Sequence, residues 1–339
     1  MLVVRPISMA DYEALHTCAV ESGYGFTSLP VDQELLTNRI THSEYSFSKP
    51  NVTMPGDEGY LMVGVDSETG QVAGTTGIEA SIGWDVPFYS YHISTIVHSS
   101  PKLGVNNVVK LLTFGNNYTG CSEICTLFLR PQFRQGLNGR LMSKCRFLMM
   151  AEHSHRFSKT IFAEMRGVSD ADGNSPFWKW LQEHFFSIDF TLADYLTGIG
   201  KKGFIADLMP KLPIYVNLLS KEAQAVIGQV HENTRPALVL LEKEGFTCRN
   251  YVDIFDAGPT VECELNNIES VRHSVRAIVE VAEHSSSQNF IMCNTSFENF
   301  RATAAKAAYS QEDNAVIISP KVAAALEVST GDYLRILAQ

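Results

Sequence analysis

The chain has 339 residues, which exceeds the usual size of one domain, so we expect one large domain with an addition, or two domains. Hydrophobic residues make up 45% and charged residues 19%, a globular composition that excludes a largely disordered chain. The net charge of -10 makes nucleic acid and anionic membranes poor partners, because the averaged field repels phosphate groups.

The opening residues and the cysteines predict a cytoplasmic protein. Arg5 and Pro6 interrupt what would be the apolar core of a signal peptide, and no apolar run approaches the length of a membrane span. The seven cysteines are scattered without CxxC pairs, which indicates reduced thiols and argues against a disulfide framework. No histidine and carboxylate cluster has ligand spacing, so no metal is expected.

The first residues predict a strand followed by helices. Leu2 to Arg5 form a strand candidate, and Asp11 is a plausible N-cap for the helix after it. Two glycines and a proline between Gly23 and Pro30 indicate a loop. A second helix is expected from Val31 to Thr41.

The middle of the chain predicts a hairpin and then a strand, loop and helix unit. Tyr60 to Val65 and Gln71 to Ala80 flank a glycine-containing turn, which favours antiparallel pairing. A further strand is expected at Tyr89 to Val97. Glu123 to Leu129 is nearly all apolar and predicts a buried central strand, and Arg140 to Glu152 has helical composition.

The following segment predicts a helical insertion at about residues 175–230. Thr160 to Met165 is a short strand candidate, and the aromatic stretch Phe177 to Phe186 suggests a packed helix. Ala193 to Val230 reads as mainly helical, with breaks at glycines and prolines.

The last third predicts the end of one domain and a small second one. A helix that starts at Arg235 and ends before Gly245 precedes two strands, so a first domain is expected to span residues 1–265. The tail, residues 266–339, contains a helix-like segment from about Asn267 to Glu283 and then a β-rich unit. No motif in this appendage suggests chemistry, which favours a role in stability or assembly.

The loop between the central strand and its helix is a candidate pyrophosphate cradle. A loop and a first helical turn present unsatisfied backbone N–H groups, and the helix dipole adds positive charge there. Residues 134–139 supply two glycines, and Arg130, Arg134 and Arg140 add full charges. An ordinary loop with surface arginines explains the same spacing equally well.

This strand and loop resemble the acyl-CoA cradle of GNAT acyltransferases, whose signature is Gln or Arg, two residues, Gly, one residue, and Gly or Ala. Arg134 and Gly139 fit that signature, whereas Leu137 stands at the middle glycine and Gly136 is displaced by one residue. The late helix with Gly245 and Phe246 also resembles the superfamily. The resemblance implies an α+β fold: a GNAT-like mixed, mainly antiparallel sheet flanked by helices.

Several phrases, in order along the chain, resemble the arginine N-succinyltransferase family and together reach to about Glu264. The resemblance implies transfer of succinyl from succinyl-CoA, a co-substrate and not a tightly bound cofactor, to the α-amino group of L-arginine in an ammonia-producing degradation route. The phrases are Thr27-Ser28-Leu29-Pro30, residues 122–129, residues 163–167, residues 175–178, residues 227–231 and residues 249–256.

The same resemblance implies where succinyl-CoA binds. In GNAT folds an unpaired amide of the central strand faces the thioester, which makes Leu127 the expected succinyl-CoA contact here. The residues expected to bind succinyl-CoA are Leu127, Phe128, Leu129, Arg134, Gly136, Gly139 and Arg140.

A histidine is the natural candidate for proton transfer, because its ordinary pKa of about 6.5 allows exchange near neutrality. Of the ten histidines, His231 sits in a polar break before a helix, while His16, His184 and His273 lie within helical patterns and are explained as surface or packing residues. The family resemblance assigns the proton-donor role to His231.

A cationic acceptor side chain calls for a carboxylate partner, since a guanidinium pairs well with a bidentate acceptor. Glu164, Asp189 and Asp194 are candidates, although an ordinary structural or solvated role is the more frequent reading of any one of them. Arg166 is the expected partner of the succinyl carboxylate. The acidic net charge would suit a cationic substrate by steering.

Other readings stay open on sequence alone. The same fold could use acetyl-CoA as donor, or ornithine or a polyamine as acceptor, and only the size and charge of the pocket would separate these. The alternative outside enzymes is a non-catalytic ligand-binding module, and the displaced glycine at Gly136 is the best sequence argument for it. Related enzymes are implied to assemble, as homo-oligomers or with a homologous second subunit.

Overall fold

The computed structural model describes residues 1–23, 29–170, 173–188, 192–193, 196 and 203–339. Within these residues, sixteen strands form one sheet, which runs through the middle of the molecule. The strands are β1 (Leu2–Pro6), β2 (Gly59–Asp66), β3 (Val72–Glu79), β4 (Ser90–Ser100), β5 (Val105–Gly115), β6 (Ser122–Leu129), β7 (Thr160–Glu164), β8 (Ile214–Tyr215), β9 (Thr247–Val252), β10 (Pro259–Glu264), β11 (Val275–Val281), β12 (Asn289–Asn294), β13 (Ala302–Lys306), β14 (Ala308–Ser310), β15 (Ala315–Ile318) and β16 (Tyr333–Ala338).

Helices cover both faces of this sheet. In the described part of the chain they are α1 (Tyr12–Ser22), α2 (Gln33–Ser48), α3 (Asn138–Glu152), α4 (Pro176–Leu181), α5 (Gly203–Leu208), α6 (Lys221–Val226), α7 (Arg235–Lys243), α8 (Glu269–His273) and α9 (Pro320–Leu326). Among these described residues, no helix combines the length and the apolar character needed to cross a membrane.

The strand order is β14-β15-β11-β16-β12-β13-β1-β2-β3-β6-β7-β10-β9-β4-β5-β8. Most neighbouring strands are antiparallel, while β6 with β7 and β11 with β15 are parallel. The expected mixed, mainly antiparallel sheet is therefore observed. Strand β6 lies near the centre, between β3 and β7, as its apolar sequence predicted.

Alternating residues of the strands separate the sheet into two faces. On β2, Tyr60 and Met62 join the apolar cluster under α3, while Leu61 and Val63 join the cluster under α1 and α2. Helix α3 is buried along most of its length, and Leu148 in it is 0% exposed. The two faces are therefore packed by different helices.

The elements after β7 form a third cluster. Trp178 on α4 packs its ring against Phe186 and Phe255, with centroid distances of 4.8 and 5.3 Å. Buried residues of β4, β5, α5 and α6 belong to the same cluster. The predicted helical insertion at 175–230 is helical in part, but it also contributes β8, which pairs with β5 at Tyr215 and Ile214.

Three other sequence predictions differ from the structure. Strand β5 was not predicted, although all eleven of its residues pair with the eleven of β4 in a hairpin. Helix α2 extends to Ser48, beyond the predicted end at Thr41. The helix-like segment expected to reach Glu283 ends at His273, and β11 replaces the rest of it, because Ala277 and Val279 alternate with exposed residues at the period of a strand.

The C-terminal residues continue the sheet of the preceding part. Strand β13 pairs with β1, and the Thr303 hydroxyl donates to the Leu2 carbonyl at 2.7 Å. Arg335 on β16 donates to Glu152 at the end of α3 at 2.9 Å. Residues 275–338 are rich in strands, and the division into domains at residue 265 stays a prediction.

Candidate active site

The central strand β6 is interrupted by a bulge. Its register with β3 pairs Cys125 with Gly77 and Phe128 with Thr75, so two residues, Thr126 and Leu127, lie opposite one. Thr126 has φ of +55°, a left-handed conformation that a β-branched residue rarely adopts. Strained backbone of this kind persists where the surrounding structure holds it, and it is frequent at functional sites.

Side chains from two elements hold the bulge. The Thr75 hydroxyl donates to the Thr126 carbonyl at 2.9 Å, and Arg39 on α2 donates to the Thr126 hydroxyl at 3.3 Å. The same Arg39 guanidinium binds the Glu79 carboxylate at 3.0 Å. Burial raises the pKa of Glu79 despite this ion pair, which indicates a poorly solvated setting.

The sheet opens beside this bulge. Strands β6 and β7 pair only at Ser122 with Ile161 and Glu123 with Phe162, whereas β7 pairs with β10 along its whole length on its other edge. In the described register, Leu127 has a strand partner on neither side. The backbone of β6 from the bulge to its end is therefore accessible to a ligand inserted between the two strands.

The loop after β6 has the open backbone that a phosphate cradle needs. Gly136 has φ of +55°, and a Cβ added at Gly136 or at Gly139 would meet no atom within 4 Å. Helix α3 begins at Asn138, two residues earlier than predicted, so its first turn belongs to the loop. Its N–H groups add to the positive potential there.

The arginines of this loop have different roles. Arg134 donates to the Leu129 carbonyl at 2.7 Å and lies 6.0 Å from the Phe128 ring, so it closes the loop against the strand. Arg140 is exposed at the start of α3. Arg130, predicted to add charge to the cradle, instead binds the Glu21 carboxylate at 2.8 Å. That ion pair neutralises its charge.

His231 lies beyond the end of β7. Its backbone N–H donates to the Arg166 carbonyl at 2.9 Å, next to the bridge between Gly167 and Val230. The Asn233 N–H donates to His231 Nδ1 at 3.1 Å, which leaves the hydrogen of the neutral ring on Nε2. Burial and then the charge of Arg166 lower the pKa of His231, so the ring is neutral at pH 7.

Of the two predicted substrate contacts, Arg166 is brought close to this histidine, while Glu164 lines a cavity next to β6. Glu164 ends β7, and the cavity has a volume of about 620 Å³. Arg166 donates to the Ser169 hydroxyl at 2.8 Å, and its charge acts on His231. Asp189 and Asp194, the other predicted carboxylates, lie outside the described residues.

The cavity brings together residues that the sequence analysis missed. Arg39, Glu79, Glu123 and Cys125 all line it, although they come from three separate elements. The one sequence signal was a glutamate within each of two largely apolar strands, β3 and β6. Carboxylates so placed are costly unless they have a partner, which makes them site candidates.

Cys125 is the thiol nearest to the bulge. Burial, followed by the charges of Glu79 and Glu123, raises its pKa to about 12. It is therefore a protonated thiol at neutral pH and a poor nucleophile. Throughout the described residues, no group of three side chains is arranged to hold a metal ion.

Comparison with known proteins relates the whole chain to one family. A family model described as arginine N-succinyltransferase beta subunit matches residues 2–270, and one described as its C-terminal domain matches residues 271–338. Proteins named arginine N-succinyltransferase from Salmonella schwarzengrund and Salmonella agona are 43% identical over 341 residues, covering 99% of this chain and 97% of each relative.

A solved structure gives the same relationship. Subunit AI of arginine/ornithine succinyltransferase from Pseudomonas aeruginosa superimposes with a TM-score of 0.91 at 35% sequence identity. The match covers 100% of this chain and 98% of that one. The fold is therefore shared over the full length.

Proposed function

Because the chain belongs to the arginine N-succinyltransferase family, we propose that it transfers the succinyl group of succinyl-CoA to the α-amino group of L-arginine. It is an acyltransferase, as its relatives at 43% identity are named. The observation that carries the detailed proposal is the bulge at Thr126 beside the opening between β6 and β7, with His231 at the end of β7. Arginine catabolism is the expected role.

Succinyl-CoA is proposed to enter this opening as a co-substrate. The open backbone at Gly136 and Gly139, the first turn of α3 and the exposed Arg140 would bind the pyrophosphate. The acyl chain would follow β6 past Leu129 and Phe128 to Leu127. There the backbone N–H of Leu127 would donate to the thioester oxygen and stabilise the developing oxyanion.

The reaction needs no covalent enzyme intermediate. The neutral α-amine attacks the thioester carbon and a C–N bond forms. The C–S bond then breaks to release the CoA thiolate, and the proton that the attacking nitrogen loses balances the one that the thiolate takes up. The raised pKa of Cys125, about 12, supports direct attack over an acyl-cysteine route. The Nε2–H of His231 is proposed to donate a hydrogen bond to the departing sulfur, which stabilises the thiolate until it takes up the proton lost by the nitrogen, and Arg166 is proposed to bind the succinyl carboxylate.

The test is thiol release from succinyl-CoA with L-arginine, comparing the wild type with His231→Ala. We expect turnover in the wild type and a fall in kcat of about 10² to 10⁴-fold in the variant, the range typical of a lost acid–base group. His184→Ala, at an exposed histidine on another element, is the matched control and should keep full activity. Equal activity of His231→Ala and wild type would contradict the role of His231.

Other donors and acceptors belong in the same assay. Acetyl-CoA as donor, and L-ornithine or a polyamine as acceptor, test the alternative enzyme readings, and the Pseudomonas relative is titled for both arginine and ornithine. Faster turnover with any of these pairs would correct the substrate assignment. No thiol release with any pair, together with no CoA binding in solution, would leave a non-catalytic module.

We also propose that the protein assembles, either with itself or with a homologous subunit, and works in the cytoplasm. The names "beta subunit" and "subunit AI" among its relatives support assembly. The outer half of the β4–β5 hairpin also supports assembly, because its apolar side chains are exposed: Val97, Leu103 and Val108 are 58%, 77% and 69% exposed. Light scattering of wild type and Val108→Asp tests assembly, and cell fractionation tests location.

A further inference from the structure

The cavity beside the active-site bulge has a specific distribution of charge. In the register of β3 and β6, Glu79 lies directly opposite Glu123, and the adjacent pair of Ile78 and Ile124 faces α3. Both carboxylates therefore lie on the face that carries the cavity. Two like charges directly opposite each other destabilise a sheet unless cations accompany them.

Arg39 supplies only part of that positive charge. Among the described residues that line the cavity, the cationic side chain is Arg39, which is bound to Glu79 at 3.0 Å. Six carboxylates line the same cavity, namely Asp57, Glu79, Asp85, Glu123, Glu164 and Asp253. The cavity is thus strongly acidic, and one of its carboxylates, that of Glu79, already binds the guanidinium of Arg39.

The carboxylates differ in what they do. Asp253 accepts the backbone N–H groups of Phe255 and Asp256 at 2.7 and 2.8 Å, which explains it as a turn-forming residue. Asp57 forms an ion pair with Lys49 on the surface. Glu123 on β6, whose charge acts on Arg39, and Glu164 on β7 stand on the two strands that separate at the opening.

Two further features suit a planar cation. Trp84, Phe88 and Phe255 line the cavity, and guanidinium groups stack on aromatic rings. Thr260, paired with Glu164 in the register of β7 and β10 and on the same face, is 0% exposed, and its hydroxyl has no hydrogen-bond partner in the described structure. A buried hydroxyl without a partner indicates a place for a polar ligand group.

The spacing along β6 sets the length of the ligand. The bulge places Leu127 opposite Thr76, which lies three residues from Glu79, the partner of Glu123, so the two β6 positions are about 10 Å apart at the rise of a strand. An acceptor whose amine lies near Leu127 can reach the Glu123 carboxylate only with a long side chain that ends in a cation. Arginine, extended, meets this condition better than the shorter ornithine.

We propose that Glu123, together with Glu164, binds the guanidinium of the acceptor and selects arginine as substrate. This inference rests on the proposed function, and it makes Glu123 a specificity-determining residue of that reaction. The aromatic side chains would hold the plane of the guanidinium, and the Arg39–Glu79 ion pair would form the wall beside it.

The experiment compares Glu123→Gln with the wild type, using L-arginine and its uncharged isostere L-citrulline as acceptors. We expect kcat/KM for arginine to fall about 10 to 100-fold, mainly through KM, with the KM for succinyl-CoA unchanged and the slow reaction of citrulline unaltered. Glu280→Gln, at an exposed strand glutamate outside the cavity, is the control. Glu123→Asp, which keeps the charge, should recover part of the loss.

An unchanged KM for arginine in Glu123→Gln, or an equal loss with citrulline, would overturn the proposal. A second measurement uses the wild type alone, so it does not depend on a variant that folds. Butylguanidinium should inhibit competitively against arginine at much lower concentration than butylurea, and equal inhibition by both would also refute it. Wild-type enzyme inactive with every acceptor would instead refute the proposed function.

Discussion

The two faces of the central strands differ in packing and in charge. On the face under α3, Ile78 and Ile124 are 1% and 3% exposed and belong to a continuous apolar cluster. At the adjacent position of each strand, Glu79 and Glu123 face a cavity of about 620 Å³. Alternation at period two thus lets the same strands supply a rigid support and a polar site.

This difference explains why the strain at Thr126 persists. The α3 face is close-packed, and it fixes the path of β6 on both sides of the bulge. The cavity face provides the hydrogen bonds that hold the bulge itself, from Thr75 and Arg39. We therefore expect substitutions on the α3 face to change stability, and substitutions on the cavity face to change activity.

The largest expected effect on stability comes from the α3 face. Leu148→Ala removes a 0% exposed side chain from the apolar cluster and should lower the free energy of unfolding by about 2–5 kcal/mol. Urea denaturation measures this loss. Leu212→Ala, at a residue that is 80% exposed, is the control and should change stability little. If Leu148→Ala had a lower kcat than the wild type but the same free energy of unfolding, that result would contradict the separation of the two faces.

The next effect depends on pH and concerns His153, which follows α3 and packs edge-on to Phe297 at 5.0 Å. Burial lowers the pKa of His153 to about 4 from its ordinary value of 6.5. As pH falls below 6.5, His153 binds a proton in the unfolded chain, whereas in the folded chain it stays neutral until about pH 4. Stability should therefore drop by up to about 3 kcal/mol over that interval, and be unaffected above it.

Urea denaturation of the wild type and His153→Gln at pH 7.5, 6 and 5 measures this dependence. The variant should lose less stability on acidification than the wild type. His98→Gln, at an exposed histidine of the β4–β5 hairpin, should follow the wild-type curve. Parallel curves for His153→Gln and wild type would show that His153 is not the group responsible.

A smaller effect tests the hydrogen bond from Thr75 that stabilises the bulge at Thr126. Thr75→Val removes the hydroxyl that donates to the Thr126 carbonyl, so we expect a loss of about 1–2 kcal/mol in stability and a lower kcat. Thr76→Val is a matched control, because the neighbouring Thr76 is also 0% exposed and its hydroxyl has no hydrogen-bond partner in the described structure. Thermal unfolding and thiol release should change in Thr75→Val and hold steady in Thr76→Val.

The smallest expected effect is at Cys125. Cys125→Ser should keep kcat within about two-fold of the wild type, because a thiol with a pKa near 12 is not an effective nucleophile. Steady-state thiol release measures this, with Cys248→Ser, at an exposed cysteine, as the control. Complete loss of turnover in Cys125→Ser alone would point to an acyl-cysteine intermediate.

The regular parts of the fold were predictable from local pattern. Three signals each lie within one short segment of sequence: the apolar run of β6, the helical spacing of α3 and the glycine turn between β2 and β3. Irregular segments were not: β8 and β11 were interpreted as helical, since short strands acquire their identity from the strands they pair with.

The sequence by itself determined the family and the mixed sheet, because these depend on phrases and patterns of neighbouring residues; His231 as the proton donor stays a prediction. Only the tertiary structure decided that Arg39, Glu79 and Glu123 share a cavity, since residues 40 and 44 positions apart meet only through helix packing and strand register. It also decided the bulge at Thr126, because a positive φ in a β-branched residue arises from contacts with other strands and not from its own preference.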